Sequence, residues 1–468
     1  MAVDTFTNEI SCTLRSGGFT GDLVTPGDPT YDQTRRIWNG SIDRFPAAVA
    51  RCRDTEDAAA VIGAATRLEL PLAVRGGGHS VAGHSTCDGG VVLDLSPMRQ
   101  VVIDPSNRRA HVGGGALLGD LDQAAQEHGL AVPAGQVSHT GVAGLTLGGG
   151  VGYLMRPLGL TIDSLRSASL VTAAGEHVTA SEDENPDLFW ALRGGGGNFG
   201  VVTQFEFDLH EVGPIIYAGV LVFPLERGGE VLRASRALMT DATDELTIHE
   251  VLITLPHHPP FPPELQGTKA AMLVVAHVGT EQQARADVAP LRELGPSFDL
   301  LGPMPYLALQ TMIDEDTRHG LGHYSKSHWL AGFDDELIDL LVESLGRASS
   351  PMSHLITARM GGAIERVSAE ATAFRYRSAA NLLWVIGLWE DASDPGVEHR
   401  DWVNEVMEAA RPFSTGAGYV NAIEGDEDAA RVRDAYGEDT FVRLRRLKRR
   451  WDPDNVFRLN ANIPPATD

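Results

Sequence analysis

Apolar stretches of alternating character recur through the middle of the chain, at 216–223, 248–255, 270–278, 323–331, 354–360 and 381–389. A period of two puts every second side chain on one face, so each stretch predicts a strand and their succession a large antiparallel sheet. Helix-like segments lie between them: over Glu336 to Arg347, Leu337, Leu340, Leu341 and Leu345 share a face. Pro256, Pro259, Pro260, Pro262 and Pro263 predict a stiff surface excursion.

Ahead of Pro214 the elements are shorter. An amphipathic run from Asp57 to Leu68 leads into a buried strand, Pro71 to Val74, and strands at 91–95, 101–103 and 110–112 follow, the last two at hairpin spacing. Leu117, Leu121, Ala124, Ala125 and His128 mark a helical face that Gly129 ends. Segments 167–173 and 176–179 flank an Ala-Gly turn, and Thr203, Phe205, Phe207 and Leu209 alternate with Gln204, Glu206 and Asp208. Near the carboxyl end, Thr440 to Trp451 predicts a helix with Phe441, Leu444, Leu447 and Trp451 on one side. Arg443, Arg445, Arg446, Lys448, Arg449 and Arg450 occupy the rest, read as a solvated face. Both parts are α+β, and 468 residues exceed one ordinary domain.

Charge changes the picture by exclusion. With 38 Lys and Arg against 63 Asp and Glu the net charge is −25, a field that repels nucleic-acid phosphates and anionic lipid, so neither is an expected partner. Cys12, Cys52 and Cys87 form no disulfide framework and no metal-site spacing. The amino terminus lacks a basic start followed by an apolar run, and no stretch approaches a membrane span, so the expectation is a cytoplasmic protein.

Glycine is over-represented, at 51 residues, and clusters at 76–78, 113–115, 148–152 and 194–197. Such loops admit left-handed backbone and close approach, so they can form nests of N–H groups for an anionic diphosphate. None is a dinucleotide fingerprint of the doubly wound kind: Arg75-Gly-Gly-Gly-His79 lacks the spacing G-x-G-x-x-G, and no Walker spacing occurs. Taken singly, each cluster can equally be a packing turn; Arg75, Arg156 and Arg193 beside three of them tilt the reading toward phosphate. His79 ends the Gly76–Gly78 turn, where an imidazole is presented on backbone that can approach a ligand.

Arg75-Gly-Gly-Gly-His79-Ser80, Gly141-Val-Ala-Gly144-Leu-Thr-Leu-Gly148-Gly-Gly150-Val-Gly152, Gly159-Leu160 with Asp163, Leu188-Phe-Trp190 with Arg193 to Gly200, and Trp451-Asp-Pro453 with Asn455-Val-Phe457 and Asn460-Ala-Asn462-Ile463 together resemble the berberine bridge enzyme-like flavin oxidases of the vanillyl-alcohol oxidase superfamily. The resemblance covers both ends of the chain; the middle third is similar only in texture. It implies a bipartite FAD-binding module, 1–214 and 405–468, and an inserted substrate domain, 215–404, whose large antiparallel sheet is covered by helices. It also implies FAD bonded through its 8α-methyl group to His79, with Arg75, Gly76, Gly77, Gly78, Ser80, Val137, Thr140, Gly141, Gly144, Gly148, Gly152, Val202, Tyr419, Asn460 and Asn462 around the cofactor.

Many relatives carry a second link through a cysteine in a segment like G-x-C-x-x-x-G. Gly135-Gln136-Val137-Ser-His-Thr-Gly141 puts Val137 there, so a single link is expected. Thr140 takes the position that shapes dioxygen access. The reaction this resemblance implies is hydride transfer from a small-molecule alcohol, amine or reduced ring carbon to flavin, a base taking the hydroxyl proton, and reoxidation by dioxygen to hydrogen peroxide. Tyr419, in Tyr419-Val-Asn-Ala422, is the candidate base, although a free tyrosine titrates near about 10. Tyr153 and Tyr324 are further tyrosines that could reach the flavin from the substrate sheet, each read as structural in preference, and His249, Glu250 and Glu365 are titratable residues expected on strands, Glu365 being the next choice of base. A flavin-dependent oxygenase and a non-catalytic flavin carrier are the alternatives, and a monomer or homodimer is expected.

Overall fold

The period-two stretches of the middle third pair into one antiparallel sheet. A computed structural model describes residues 2–467, and in it Ile215–Pro224, Leu246–Thr254, Lys269–His277, Gly322–Leu330, His354–Arg359 and Asn381–Trp389 join two short strands, Phe298–Asp299 and Gly302–Pro305. The order in space runs from Phe298–Asp299 through 215–224, 269–277, 246–254, 354–359 and 381–389 to 322–330. One face is covered by helices Gly228–Thr240, Glu281–Glu293, Asp335–Gly346 and Val397–Ala410. There Leu337, Leu341, Val403 and Val406 pack on Leu383 and Val385, and burying such side chains contributes about 1.5–3 kcal/mol each. The opposite face is left for the site. The proline-rich excursion folds Phe261 back against Phe298, with ring centroids 5.7 Å apart.

Two smaller sheets build the first part. In the first, Val91–Asp94 runs parallel to both Ala48–Arg51 and Leu72–Arg75, with Asp22–Val24 antiparallel at the edge. The second is antiparallel, ordered 101–104, 109–113, 201–208, 165–171, 177–181. Helix Thr55–Arg67 is capped by Asp54, which accepts from the Asp57 N–H.

The carboxyl end returns to these sheets: Phe457 is buried in the core of the first, and helix Glu438–Trp451 lays Arg443 over the Trp190 ring at 3.7 Å. One residue of its expected solvated face is misassigned. Lys448 is fully buried, 2.7 Å from Asp452 Oδ2 and donating to the carbonyls of Asn198 and Phe457. A lone amine cannot be buried without its charge partner, and Asp452, four residues on, supplies it. Among the described residues no helix is long and apolar enough to cross a membrane.

Candidate active site

A cavity of about 380 Å³ lies between the glycine-rich loops and the uncovered face of the large sheet. Strand Leu72–Arg75 delivers the Gly76–Gly78 turn to its wall. This turn meets a second loop backbone to backbone: a Cβ on Gly77 would lie 2.4 Å from the Gly141 nitrogen, and Gly78 has φ +70°. Only glycine permits that closeness.

His79 follows. Its ring stacks on Trp38, centroids 4.0 Å apart and planes 16° apart, and its Nε2 lies 3.1 Å from His139 Nδ1. His319 approaches both imidazoles, and Trp38 Nε1 is held by the Thr317 carbonyl at 2.6 Å. Burial, together with His139, His319 and His323, pushes the His79 pKa well below its ordinary value. His79 is therefore a neutral imidazole with lone-pair character at physiological pH, the form a nucleophile requires.

Of the residues expected around a cofactor, Gly76, Gly77, Gly78, His79, Ser80, Val137, Thr140, Gly141, Gly144, Val202, Tyr419 and Asn460 line this cavity. Arg75, Gly148, Gly152 and Asn462 stand behind its wall. The Arg75 guanidinium donates to the carbonyls of Thr34, Arg35 and Ser85, so it braces the loop and does not reach into the cavity. Arg156 likewise donates to the carbonyls of Leu246 and Met360, and Arg193, lying over the Phe189 ring, donates to the Ala371 carbonyl. The arginines beside the glycine clusters thus hold backbone, and the phosphate reading they prompted finds no support in their placement. Gly148 and Gly152 are there for packing: a Cβ would fall 2.0 Å from Asn421 Oδ1 and 1.7 Å from the Ala134 carbonyl.

Polar atoms left over test whether a polar cofactor fits. Ser85 Oγ and Asn460 Oδ1, on cavity-lining residues, and Asn462 Oδ1 behind them are buried with no hydrogen-bond partner. Buried polar atoms are seldom left so. Together with the glycine loops they suit a large ligand rich in hydroxyls and phosphate oxygens, and a dinucleotide flavin has that chemistry.

Tyr419 also lines the cavity. Its backbone N–H donates to Ser327 Oγ of the sheet at 2.9 Å, and its phenol oxygen accepts from the Gly150 N–H at 3.0 Å and from Asn421 Nδ2 at 2.9 Å. Burial pushes its pKa up to about 12 despite those donors. Such a phenol is protonated at neutral pH, so it keeps a hydrogen to donate.

Comparison with known proteins bears on what this cavity serves. The profile of the "FAD binding domain" family matches residues 46–181, and that of "Berberine and berberine like" proteins matches 418–464. An FAD-linked oxidoreductase of Dictyostelium discoideum is 30% identical over 452 residues, 95% of this chain and 95% of that protein. The chain belongs to the berberine-like FAD-linked oxidoreductases. (R)-6-hydroxynicotine oxidase of Paenarthrobacter nicotinovorans is also 30% identical, over 95% of this chain and 97% of its own. The solved structure of 6-hydroxy-D-nicotine oxidase from Arthrobacter nicotinovorans superposes with a TM-score of 0.86 at 29% identity, covering 96% of this chain and 99% of that one. A berberine bridge enzyme-like protein of Physcomitrella patens shares the fold, with a TM-score of 0.87 at 23% identity over 98% and 99% of the two chains. The fold class read from the sequence is that of these flavoproteins, and the chain is an FAD-dependent oxidoreductase.

The sheet side of this oxidoreductase's cavity holds residues to which the sequence reading, His249 apart, gave no role. Ile356, Ala358, Leu382, Trp384 and Ile386 point inward from two adjacent strands, with His249, His323 and His354 among them. Trp384 and its neighbours follow from alternation along 381–389; the histidines gave no motif. Among the described residues no Asp, Glu, Lys or Arg lines the cavity.

Three residues weighed for reach to the flavin do not line the cavity, and for Glu365 the expected strand is also corrected. Tyr324 lies on the helix-covered face, its hydroxyl on Asp426 at 2.7 Å and Asn404 at 3.2 Å. Tyr153 is buried in the turn after Gly152, off the sheet and outside the lining, beside His249. Glu365 sits exposed on a short helix, Ala363–Arg366, away from the lining, because Gly361 and Gly362 end the strand before it.

Proposed function

We propose that this FAD-dependent oxidoreductase is an oxidase whose flavin is held by one covalent bond from His79, and that it oxidises a small molecule with release of hydrogen peroxide. The observation that carries the reading is the neutral, buried His79 imidazole, stacked on Trp38 at the mouth of a glycine-built cradle. When bound, FAD supplies hydride acceptance at N5 and reaction of its reduced form with dioxygen. The protein's part is to place it. Gly76 to Gly78 and Gly141 to Gly144 offer backbone N–H groups, Asn460 offers an unpartnered oxygen, and Tyr419 and Trp384 face the substrate side. Val137, where many relatives have a linking cysteine, has no nucleophilic atom, and Cys12, Cys52 and Cys87 lie off the cavity. Thr140 lines the cavity and leaves room for dioxygen that a leucine would fill. In this reading 1–214 and 405–468 form the FAD-binding module and 215–404 the substrate domain.

Acid precipitation of the purified protein tests it. Yellow colour that stays with the polypeptide, and peroxide produced by a substrate in air, are the expected results. Flavin freely released by acid, or reduced flavin that persists in air, contradicts the covalent link and the oxidase assignment respectively.

A further inference from the structure

His249 sits on strand Leu246–Thr254, between Val274 on one neighbouring strand and Ala358 on the other. Its alternation partner Glu250 faces the other way, where Ser235 Oγ and Thr357 Oγ donate to its carboxyl at 2.7 and 2.8 Å. His249 therefore lines the cavity on the same face as Ala358, whose methyl group leaves the space in front of the imidazole open.

The two ring nitrogens differ. Nδ1 is paired with the Gln136 side-chain amide, and Nε2 is buried without a partner. The structure records Gln136 Nε2 against Nδ1, and no other hydrogen bond fixes that amide among the described residues. A half-turn places its oxygen there to accept from Nδ1–H, which leaves the Nε2 lone pair free. Two strands across on the same wall, two residues on from the Leu382 that pairs with Ala358, Trp384 Nε1 is a second buried cavity-lining group with no partner. An acceptor and a donor, both without partners, thus stand on this wall. Everything else on this wall is apolar or a neutral imidazole, and an ion entering it would lose its hydration with no counter-charge to replace it.

We propose that the sheet side of the cavity takes an uncharged, largely apolar ring compound bearing a hydroxyl, with Trp384 Nε1–H donating to that oxygen and His249 Nε2 taking its proton. This rests on the oxidase reading. The substrate loses the hydroxyl proton to His249 and a hydride from the adjoining carbon to the bound flavin, becoming a carbonyl by loss of two electrons. The imidazolium then gives its proton to solvent. Burial holds the imidazole pKa down to about 4. Among the described residues the one titratable side chain in ring contact is Tyr153, 5.3 Å away and itself kept neutral by burial. From the flanking strands His249 meets Val274 and Ala358, and Asp314 is tied to the Ser138 backbone and hydroxyl. The neutral base is consequently present at every pH above about 4.

The test uses the flavin-loaded protein and three probes whose binding is read from the flavin absorption spectrum. Phenol, which has a hydroxyl but no hydride to give, binds at least about tenfold more tightly than benzoate, since burying an unpaired charge costs far more than that factor. Cellobiose, uncharged but rich in hydroxyls, does not saturate the cavity. His249→Leu weakens phenol about 2- to 10-fold, the range of one hydrogen bond. Benzyl alcohol reduces the wild-type flavin anaerobically at a rate flat from about pH 5 to 8, and His249→Leu or His249→Gln lowers that rate by about 10²-fold or more. The proposal is overturned if benzoate or cellobiose binds as well as phenol, if benzyl alcohol leaves the wild-type flavin oxidised, or if both His249 variants keep their yellow colour and wild-type reduction rate. A colourless wild-type protein counts instead against the FAD attachment.

Discussion

His79 Nε2 and His139 Nδ1 stand 3.1 Å apart in the cavity wall, so one nitrogen of the proposed attachment residue is already engaged by a neighbouring imidazole. Trp38 fixes the plane of the His79 ring on its other side. An imidazole held on two sides presents its remaining nitrogen in one direction, which is what a single covalent bond requires.

His79→Ala is expected to leave the flavin extractable by acid, while wild-type flavin stays on the chain. Mass analysis of proteolysed wild-type protein should place the flavin on the peptide containing His79 alone. A thioether to Cys12, Cys52 or Cys87 would contradict the single link, since Cys52 and Cys87 are buried away from the cavity and Cys12 is on the surface.

Tyr419→Phe separates a donor from a base. With its pKa pushed up to about 12, the phenol is protonated throughout the neutral range. Removing the oxygen also strips a partner from the Gly150 N–H and from Asn421. Flavin reduction is expected to slow by about tenfold, and equally at pH 7 and pH 9, less than the roughly 10²–10⁴-fold usual for a general acid or base. Stopped-flow reduction at the two pH values decides it. A loss that shrinks as pH rises identifies Tyr419 as the base, because solvent hydroxide would be replacing it.

What the sequence disclosed follows from what its signals depend on. Period-two patterning is local and strong, so 381–389 was read to the residue as Asn381–Trp389 and the other long strands to within one or two residues. The glycine loops and His79 were legible because few other arrangements need that composition. The destination of a long side chain was not. Arg75, Arg156 and Lys448 look alike in sequence, whether they meet a ligand, solvent or a carbonyl, and all three turn to backbone carbonyls. His249 and Glu250 are adjacent titratable residues, and only the register with Ala358 decides which one faces the cavity.

Lys448→Met should destabilise the protein by about 3–5 kcal/mol, the usual result of leaving one partner of a buried pair unpaired. Asp452 would keep its bonds from the Val456 and Phe457 N–H groups but lose its cation. Lys448 also joins Asn198 to the carboxyl-terminal strap through its carbonyl bonds. Denaturant unfolding followed by tryptophan fluorescence measures the change. A double variant, Lys448→Met with Asp452→Asn, should recover part of the loss; a single variant as stable as wild type contradicts the pairing.

Asp122 gives a pH-dependent prediction. It is buried on helix Leu118–Gln126, accepts from Gln310 Nε2 at 3.0 Å, and its Oδ1 has no partner. Burial raises its pKa to about 7, against the lowering effect of Gln310. In the unfolded chain it titrates near about 3.9. The folded state therefore holds a proton that the unfolded state releases between those values, so this group's contribution is complete below about pH 4 and declines as pH rises to about 7. Asp122→Asn cannot ionise, and its carbonyl oxygen can still accept from Gln310. The variant should melt higher than wild type, and by several degrees more at pH 8 than at pH 5. Gln310 also donates to the Gly135 carbonyl beside the cavity, so flavin fluorescence offers a local reading of the same transition. An equal gain at both pH values would mean that Asp122 is already ionised in the folded protein at pH 5.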